Sequence, residues 1–172
     1  MIKTYVLDTN VLIQAPYAMK CFENNQVVLP VAVVEELDDL KKAGGEKGEN
    51  ARKTIRLLEQ LRRAGNLLEG VELEGGGTFR IEKNFVDVAL PPDLPDEKKD
   101  NRILKVCKGL EGSSEQKVIL VTKDILLRIK AQIIGICAED FITEQVRDSD
   151  KQYRGRTEVY APDDAFQDFK KK

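Results

Sequence analysis

Val118-Ile119-Leu120-Val121-Thr122-Lys123-Asp124 is the stretch on which the fold turns. Four consecutive apolar residues without polar alternation are what a parallel strand covered on both faces requires. The run ends at a hydroxyl, a lysine and an acid, and a helical pattern follows to about Ile134. The chain opens in the same way. Ile2 to Leu7 is rich in β-branched and aromatic residues and stops at Asp8-Thr9-Asn10, after which Val11, Leu12 and Ile13 begin a short helix or turn.

Between these two segments the pattern alternates. Val27, Val28 and Leu29 form a second strand, closed by Pro30, which suits the first turn of a helix over Val31 to Lys42. A Gly-rich break at residues 44–48 precedes a helix from about Glu49 to Ala64, with Ile55, Leu58 and Leu61 on its apolar side. Val71, Leu73, Phe79 and Ile81 alternate with polar residues around Gly75-Gly76-Gly77. That pattern predicts a β-hairpin insertion over 67–88, lying outside the main sheet. A Pro-rich connector at 91–95 leads to a helix from about Asp96 to Leu110, with Asp96 and Glu97 as cap and first-turn acids. Ile136 to Ala138 reads as one more short strand. The alternation implies an α/β fold with a mostly parallel, doubly wound central sheet and flanking helices. One domain is expected over 1–147. Residues 148–172 are a polar extension or a linker to a further domain, in which Val159 and Tyr160 could pair on a sheet edge.

Composition narrows the chemistry. The 172 residues are 41% hydrophobic and 34% charged, with a net charge of −2 and no histidine. Serine–histidine triads, cysteine–histidine pairs, histidine zinc sites and a histidine base are all excluded. Cys21, Cys107 and Cys137 are odd in number and far apart, so they read as small buried hydrophobes in a reducing cytoplasm. No signal sequence is read at the start, and no apolar run approaches the ~20 residues of a membrane helix, so a cytoplasmic protein without membrane contact is expected.

Carboxylates are left to carry any catalysis. Asp8 and Asp124 both follow strands of a parallel sheet, where ligands of open α/β sheets bind, although each could equally serve as a helix cap or turn residue. Helical geometry of ~100° per residue puts Glu36 at the edge of the apolar face formed by Val33, Val34, Leu37 and Leu40, while Glu35 points to water. Asp100 precedes Ile103 and Leu104 on the buried side near its helix start, with Asn101 placed to orient a carboxylate or a water. Four acids converging at one sheet end repel one another unless a cation neutralises them. Oxygen-only donors favour Mg2+ or Mn2+, which would activate water against a phosphodiester.

These motifs, in this order, resemble those of PIN domains. The opening strand with Asp8-Thr9-Asn10-Val11-Leu12-Ile13 is similar to the family's first motif, and Val33-Val34-Glu35-Glu36-Leu37 to its second. Asp100-Asn101-Arg102-Ile103-Leu104 looks like the third, and Val121-Thr122-Lys123-Asp124 like the fourth. The resemblance spans about residues 2–142. It implies a Rossmann-like PIN fold and a Mg2+- or Mn2+-dependent ribonuclease acting on single-stranded RNA. Asp8, Glu36, Asp100 and Asp124 carry over as catalytic metal ligands, and Thr9, Asn10 and Thr122 as supports. Self-association is a family expectation. A narrower resemblance, through Glu35-Glu36-Leu37-Asp38, the triple-glycine hairpin and the tail, is to the N-terminal PIN domain of PhoH-like proteins. In those a P-loop ATPase domain follows, and these residues hold no P-loop of their own.

Nucleic acid would have to be held locally. Lys41, Lys42, Lys47, Arg52, Lys53, Arg56, Arg62 and Arg63 outnumber Glu46, Glu49 and Glu59 just after the Glu36 helix, and Lys123, Arg128 and Lys130 lie near Asp124. Of these, Lys42, Arg52, Arg56 and Lys123 are the candidate RNA contacts. Aromatic residues do not interleave with them, so base stacking is not indicated by the sequence. A dehalogenase-type phosphatase is disfavoured because position 10 is Asn rather than Asp. A receiver domain fits the hairpin and the Glu36 helix poorly. The alternatives that stand are a weakly active RNA-binding or oligomerising module of a PhoH-like ATPase and a toxin-type PIN nuclease.

Overall fold

All four residues of β1 (Thr4–Leu7) and all four of β5 (Val118–Val121) are buried in the computed structural model, which describes residues 1–142. The two strands lie side by side and parallel, with Thr4 opposite Val118 and Leu7 opposite Val121. On its other side β1 pairs in parallel with β2 (Gln26–Pro30), which pairs in parallel with β4 (Thr78–Glu82). The short β3 (Val71–Glu72) runs antiparallel to β4 and closes one edge, and β6 (Cys137–Glu139), parallel to β5, closes the other. The order is β3-β4-β2-β1-β5-β6. The chain thus builds outward from β1 in one direction, crosses back, and continues from β5 in the other. That reversal opens a crevice beyond the C-terminal ends of β1 and β5, where open α/β sheets bind ligands.

Five α-helices flank the sheet in the described residues: α1 (Thr9–Gln14), α2 (Val31–Leu40), α3 (Gly45–Ala64), α4 (Lys99–Ser113) and α5 (Ile125–Ile133). A 3-10 turn over Pro16–Lys20 follows α1. Pro30 ends β2 and caps α2, as its fixed φ allows. Helix α3 starts four residues earlier than the pattern suggested. The reason is Gly48, where an added Cβ would sit 1.8 Å from the Ala43 carbonyl oxygen, so the Gly-rich break is a tight corner merging into the helix. The core is one cluster centred on the inner strands. In it Tyr5, Phe22 and Phe141 stack in a row, with ring centroids 4.6 Å and 6.1 Å apart.

The short α1 is held by tertiary contacts more than by its own length. Asn50 of α3 donates to the Ile13 carbonyl at 2.7 Å, and the Thr54 hydroxyl lies 3.4 Å from the Leu12 carbonyl. These two polar residues are themselves buried. They satisfy carbonyls that a six-residue helix leaves open at its C-terminal end.

Three expectations are corrected here. The hairpin forms, but its second strand belongs to the main sheet, five residues long and in register with β2. Asp96 and Glu97 do not cap α4, which begins at Lys99 with Lys98 at its N-cap. Asp96 instead pairs with Lys105 at 3.1 Å. Cys21 and Cys107 are buried as expected, whereas Cys137 is exposed on β6. No helix among the described residues is long and apolar enough to cross a membrane. The proposed boundary at 147 and the Val159-Tyr160 pairing lie outside the described residues.

Gly77 is what lets the hairpin enter the sheet. A Cβ there would meet the Asn25 and Glu23 carbonyl oxygens at 2.5 and 2.6 Å, both rigid backbone. Gly77→Ala is therefore expected to destabilise the fold by roughly 2 kcal/mol. Chemical denaturation of both proteins reads this directly, and an unchanged midpoint would contradict it.

Candidate acidic site at the switch of the sheet

Asp8 follows β1 and is buried, with 5% exposure. It caps α1, accepting from the Thr9 amide at 2.7 Å through Oδ1 and from the Thr122 hydroxyl at 2.7 Å through Oδ2. Thr122 follows β5, so this one side chain joins the two strands across the switch. Its oxygen also accepts from the Asp124 amide at 3.0 Å and, more weakly, from Asn10 Nδ2 at 3.4 Å. Asn10 returns a bond of its own, accepting from the Lys123 amide at 3.0 Å. Thr9, Asn10 and Thr122 are thus the struts of the β1 and β5 ends.

Glu36 reaches the same place from α2. Its Oε1 accepts from the Thr9 hydroxyl at 2.6 Å, while Glu35 is exposed on the far side of the helix. Asp124 caps α5, with Oδ1 accepting from the Leu126 amide at 2.9 Å. Asp8 and Asp124 therefore do serve as caps, and a cap is no bar to facing the crevice. Asp100 is the second residue of α4 and is half-buried. Asn101 beside it is fully buried. It donates to the Pro95 carbonyl at 2.7 Å and its own oxygen lies 3.4 Å from Lys130 Nζ, so it anchors the connector and the helix start rather than a neighbouring carboxylate.

The four acids sense one another. Burial pushes the Asp8 carboxyl up from its ordinary 3.8 to about 6, against the lowering effect of the Thr122 and Thr9 hydrogen bonds, and the charges of Asp100 and Glu36 push it further. Asp100 is also raised, first by burial. Lys130 opposes that rise, Asp124 and Glu36 add to it, and Lys98 opposes it again. A chain of like-charge repulsion therefore links Asp8, Glu36, Asp100 and Asp124. Among the described residues, however, no three acid or cysteine side chains converge closely enough to hold an ion. Asp8, Glu36 and Asp124 lie instead against hydroxyl and amide partners of the protein. In kind the donor set suits a hard divalent cation. In position the described side chains do not yet meet at one ion.

The basic candidates divide. Lys42 and Arg56 are exposed. Arg52 is exposed too, but its guanidinium caps the end of α2, donating to the Lys41 carbonyl at 2.7 Å. Lys123 is drawn inward, with its ammonium 3.0 Å from Asp140 and 2.8 Å from the Phe141 carbonyl, and Arg128 bonds the Thr122 carbonyl at 2.7 Å. Sequence reasoning had no sign of Asp140, which collects these two cations, or of Lys98, whose charge bears on Asp100. Asp140 acts across gaps in sequence that no periodic pattern records, whereas Lys98 is a near neighbour of Asp100 that was passed over.

Comparison with known proteins agrees with this fold. The model of the PIN domain family matches residues 5–142. The chain is 46% identical to protein PhoH2 of Bacillus subtilis, over 98% of this chain and 40% of that protein. It is 39% identical to protein PhoH2 of Thermobispora bispora, over 94% and 36%. For protein PhoH2 of Mycolicibacterium smegmatis the identity is 36%, over 84% and 33%. The chain therefore spans at most about two fifths of these relatives. A solved domain of a functionally unknown protein from Methanocaldococcus jannaschii has the same fold, with a TM-score of 0.52 at 20% identity, covering 93% of this chain and 99% of that one.

The raised Asp8 carboxyl sets a pH dependence. Between about pH 4 and pH 6 the folded protein holds a proton here that the unfolded chain has released, so stability falls as pH rises through this window and levels off above it. Asp8→Asn removes that charge with little change of shape. In chelator, the variant is expected to be more stable than the parent at pH 7.5 by on the order of 1–2 kcal/mol, a gain that vanishes near pH 4. Thermal melts of both proteins across this range check the sign, and a variant that is less stable at pH 7.5 would refute it.

Proposed function

This chain belongs to the PIN domain family, and on that premise we propose that it is a divalent-metal-dependent ribonuclease hydrolysing phosphodiester bonds of single-stranded RNA. The family is generally one of metal-dependent nucleases. The single observation that carries the reading for this chain is the mutual repulsion of Asp8, Glu36, Asp100 and Asp124 at the switch of the sheet. Such an arrangement costs stability in the free protein, and a bound cation would relieve it.

Asp8, Glu36, Asp100 and Asp124 are the residues that would hold Mg2+ or Mn2+. When bound, such an ion supplies Lewis acidity to a phosphoryl oxygen and lowers the pKa of a water. The chain's own groups do the rest. Thr122 and the Thr9 amide fix the two oxygens of Asp8, so that acid is oriented before any ligand arrives. Thr9 likewise holds Glu36. Asn10 and Thr122 keep the ends of β1 and β5 in register, which sets the spacing between Asp8 and Asp124. Lys130 and Lys98 moderate the negative field around Asp100, and an incoming phosphate benefits from that. Lys42, Arg52 and Arg56 provide cations for the RNA backbone.

A second reading draws support from two observations: the carboxylates do not converge on a common point, and the chain spans about 40% of its PhoH2 relatives. In it the domain is a weakly active RNA-binding or oligomerising module, fused in the full-length protein to a PhoH-type P-loop ATPase domain.

Incubation of a labelled single-stranded RNA with the protein in Mn2+ is expected to give cleavage that chelator abolishes and that Asp8→Asn reduces by 100-fold or more, on the order expected for loss of one metal ligand. Equal cleavage in all three reactions would remove the metal–carboxylate mechanism. Glu36→Gln is expected to fall by a similar factor, whereas Glu35→Gln keeps parental activity. The same pair of variants losing activity alike would show that helical placement does not select the functional acid.

A further inference from the structure

The 3-10 turn Pro16–Lys20 packs beside α3, and between them runs an open groove of about 570 Å³. Lys20 enters it from the turn, and Lys53 and Arg56 enter it from α3, one helical turn apart. Glu46 is the acid among its lining residues, so cations dominate. Tyr17 forms part of the wall and is 41% exposed. Gln14, the last residue of α1, is also among the lining residues. The amino-acid sequence gives no hint of this assembly, because Tyr17 lies more than thirty positions before Lys53 and Arg56.

Helix α1 ties the groove to the acidic site. Its first turn carries Thr9, which bonds Glu36, and its last residue lines the groove, so the two lie roughly 8 Å apart along the helix axis. Asn50 and Thr54 fix α1 to α3, so this spacing is rigid.

We propose that this groove is an RNA subsite, in which Lys20, Lys53 and Arg56 hold backbone phosphates and one base stacks on Tyr17. The proposal rests on the ribonuclease reading for its ligand, and it deepens that reading by placing the strand away from the reacting phosphate. Cations alone would suit any polyanion. An aromatic wall beside them is the pairing that single-stranded nucleic acid recognises, since every base offers a face to stack. Lys53 also stands 4.0 Å from Glu49 with both side chains largely exposed, a contact that a phosphate can replace at little cost.

The test measures binding in chelator, so that cleavage plays no part. Fluorescence anisotropy of a labelled 12-nucleotide oligouridylate and of an abasic 12-mer is followed across a salt series. Lys53→Ala/Arg56→Ala is expected to weaken both and to lower the slope of log affinity against log salt by about 1.4, the value for two phosphate contacts on a single strand. Arg62→Ala/Arg63→Ala, the same charge loss farther along α3 where Glu59 engages both residues, is expected to change the slope by less than half as much. Tyr17→Leu is expected to weaken oligouridylate about 5-fold or more and the abasic strand hardly at all, with Tyr17→Trp restoring the difference. Equal losses for the two α3 pairs, equal effects of Tyr17→Leu on both strands, or displacement of both strands by polyglutamate at the same charge concentration would overturn the subsite. So would failure of the parent to bind either strand. A parent that binds oligouridylate with these responses but never cleaves RNA in Mn2+ would sink the nuclease reading and leave the groove standing.

Discussion

A carboxylate buried at the junction of β1 and β5 is the constraint on which this structure turns. Asp8 loses almost all its contact with water, and such a charge is costly unless hydrogen bonds or a cation replace the solvent. The protein supplies two strong bonds, from the Thr9 amide and the Thr122 hydroxyl, and neither suffices to hold the carboxyl at its ordinary acidity. Much of the local architecture serves those two bonds. Thr122 must be at the end of β5, β5 must pair with β1 in register, and both strands must be covered on each face for Asp8 to be buried at all. The parallel pairing and the acid site are therefore one design problem.

That dependence explains what could be read from the sequence. Strands β1 and β5 stood out because burial on both faces forces continuous apolar runs, and the acids stood out because each such run ends in one. Helical geometry separated Glu36 from Glu35, and the structure has Glu35 in solvent and Glu36 bonded to Thr9. What escaped was non-local. Alternation around the triple glycine identified a hairpin, yet nothing in the alternation says that β4 lies parallel to β2. Asp96 and Glu97 have the composition of a helix start, but the buried Asn101 holds the Pro95 carbonyl and delays the helix. Lys123 reads as a free cation beside Asp124 until the chain brings Asp140 against it. In each case a residue's chemistry was visible and its partner was not.

The short α1 links these levels. Six residues are too few for a helix to be stable alone, and Asn50 and Thr54 hold it from outside. Because of that bracing, Thr9 can present its amide to Asp8 and its hydroxyl to Glu36 with little motion. The same bracing places Gln14 and the following 3-10 turn against α3. Polar residues buried in the body of α3 thus brace both the end that carries Thr9 and the end that borders the basic groove, which Asn50 itself helps to line.

The four acids also bear on how stability and function are divided. Repulsion among them lowers the stability of the free protein, and it would be simplest to remove it by shortening one side chain or drawing in a lysine. The chain does part of this, with Lys130 and Lys98 acting on Asp100. It does not do so at Asp8, whose surroundings among the described residues offer hydrogen-bond donors but no ammonium or guanidinium in contact. Lys123 and Arg128, the cations nearest in sequence to Asp124, are instead drawn off by Asp140 and by the Thr122 carbonyl. A fold selected only for stability would have let one of them neutralise the cluster. Holding them away keeps a negative field at the switch of the sheet, and such a field is what the divalent cation of the proposed function would require.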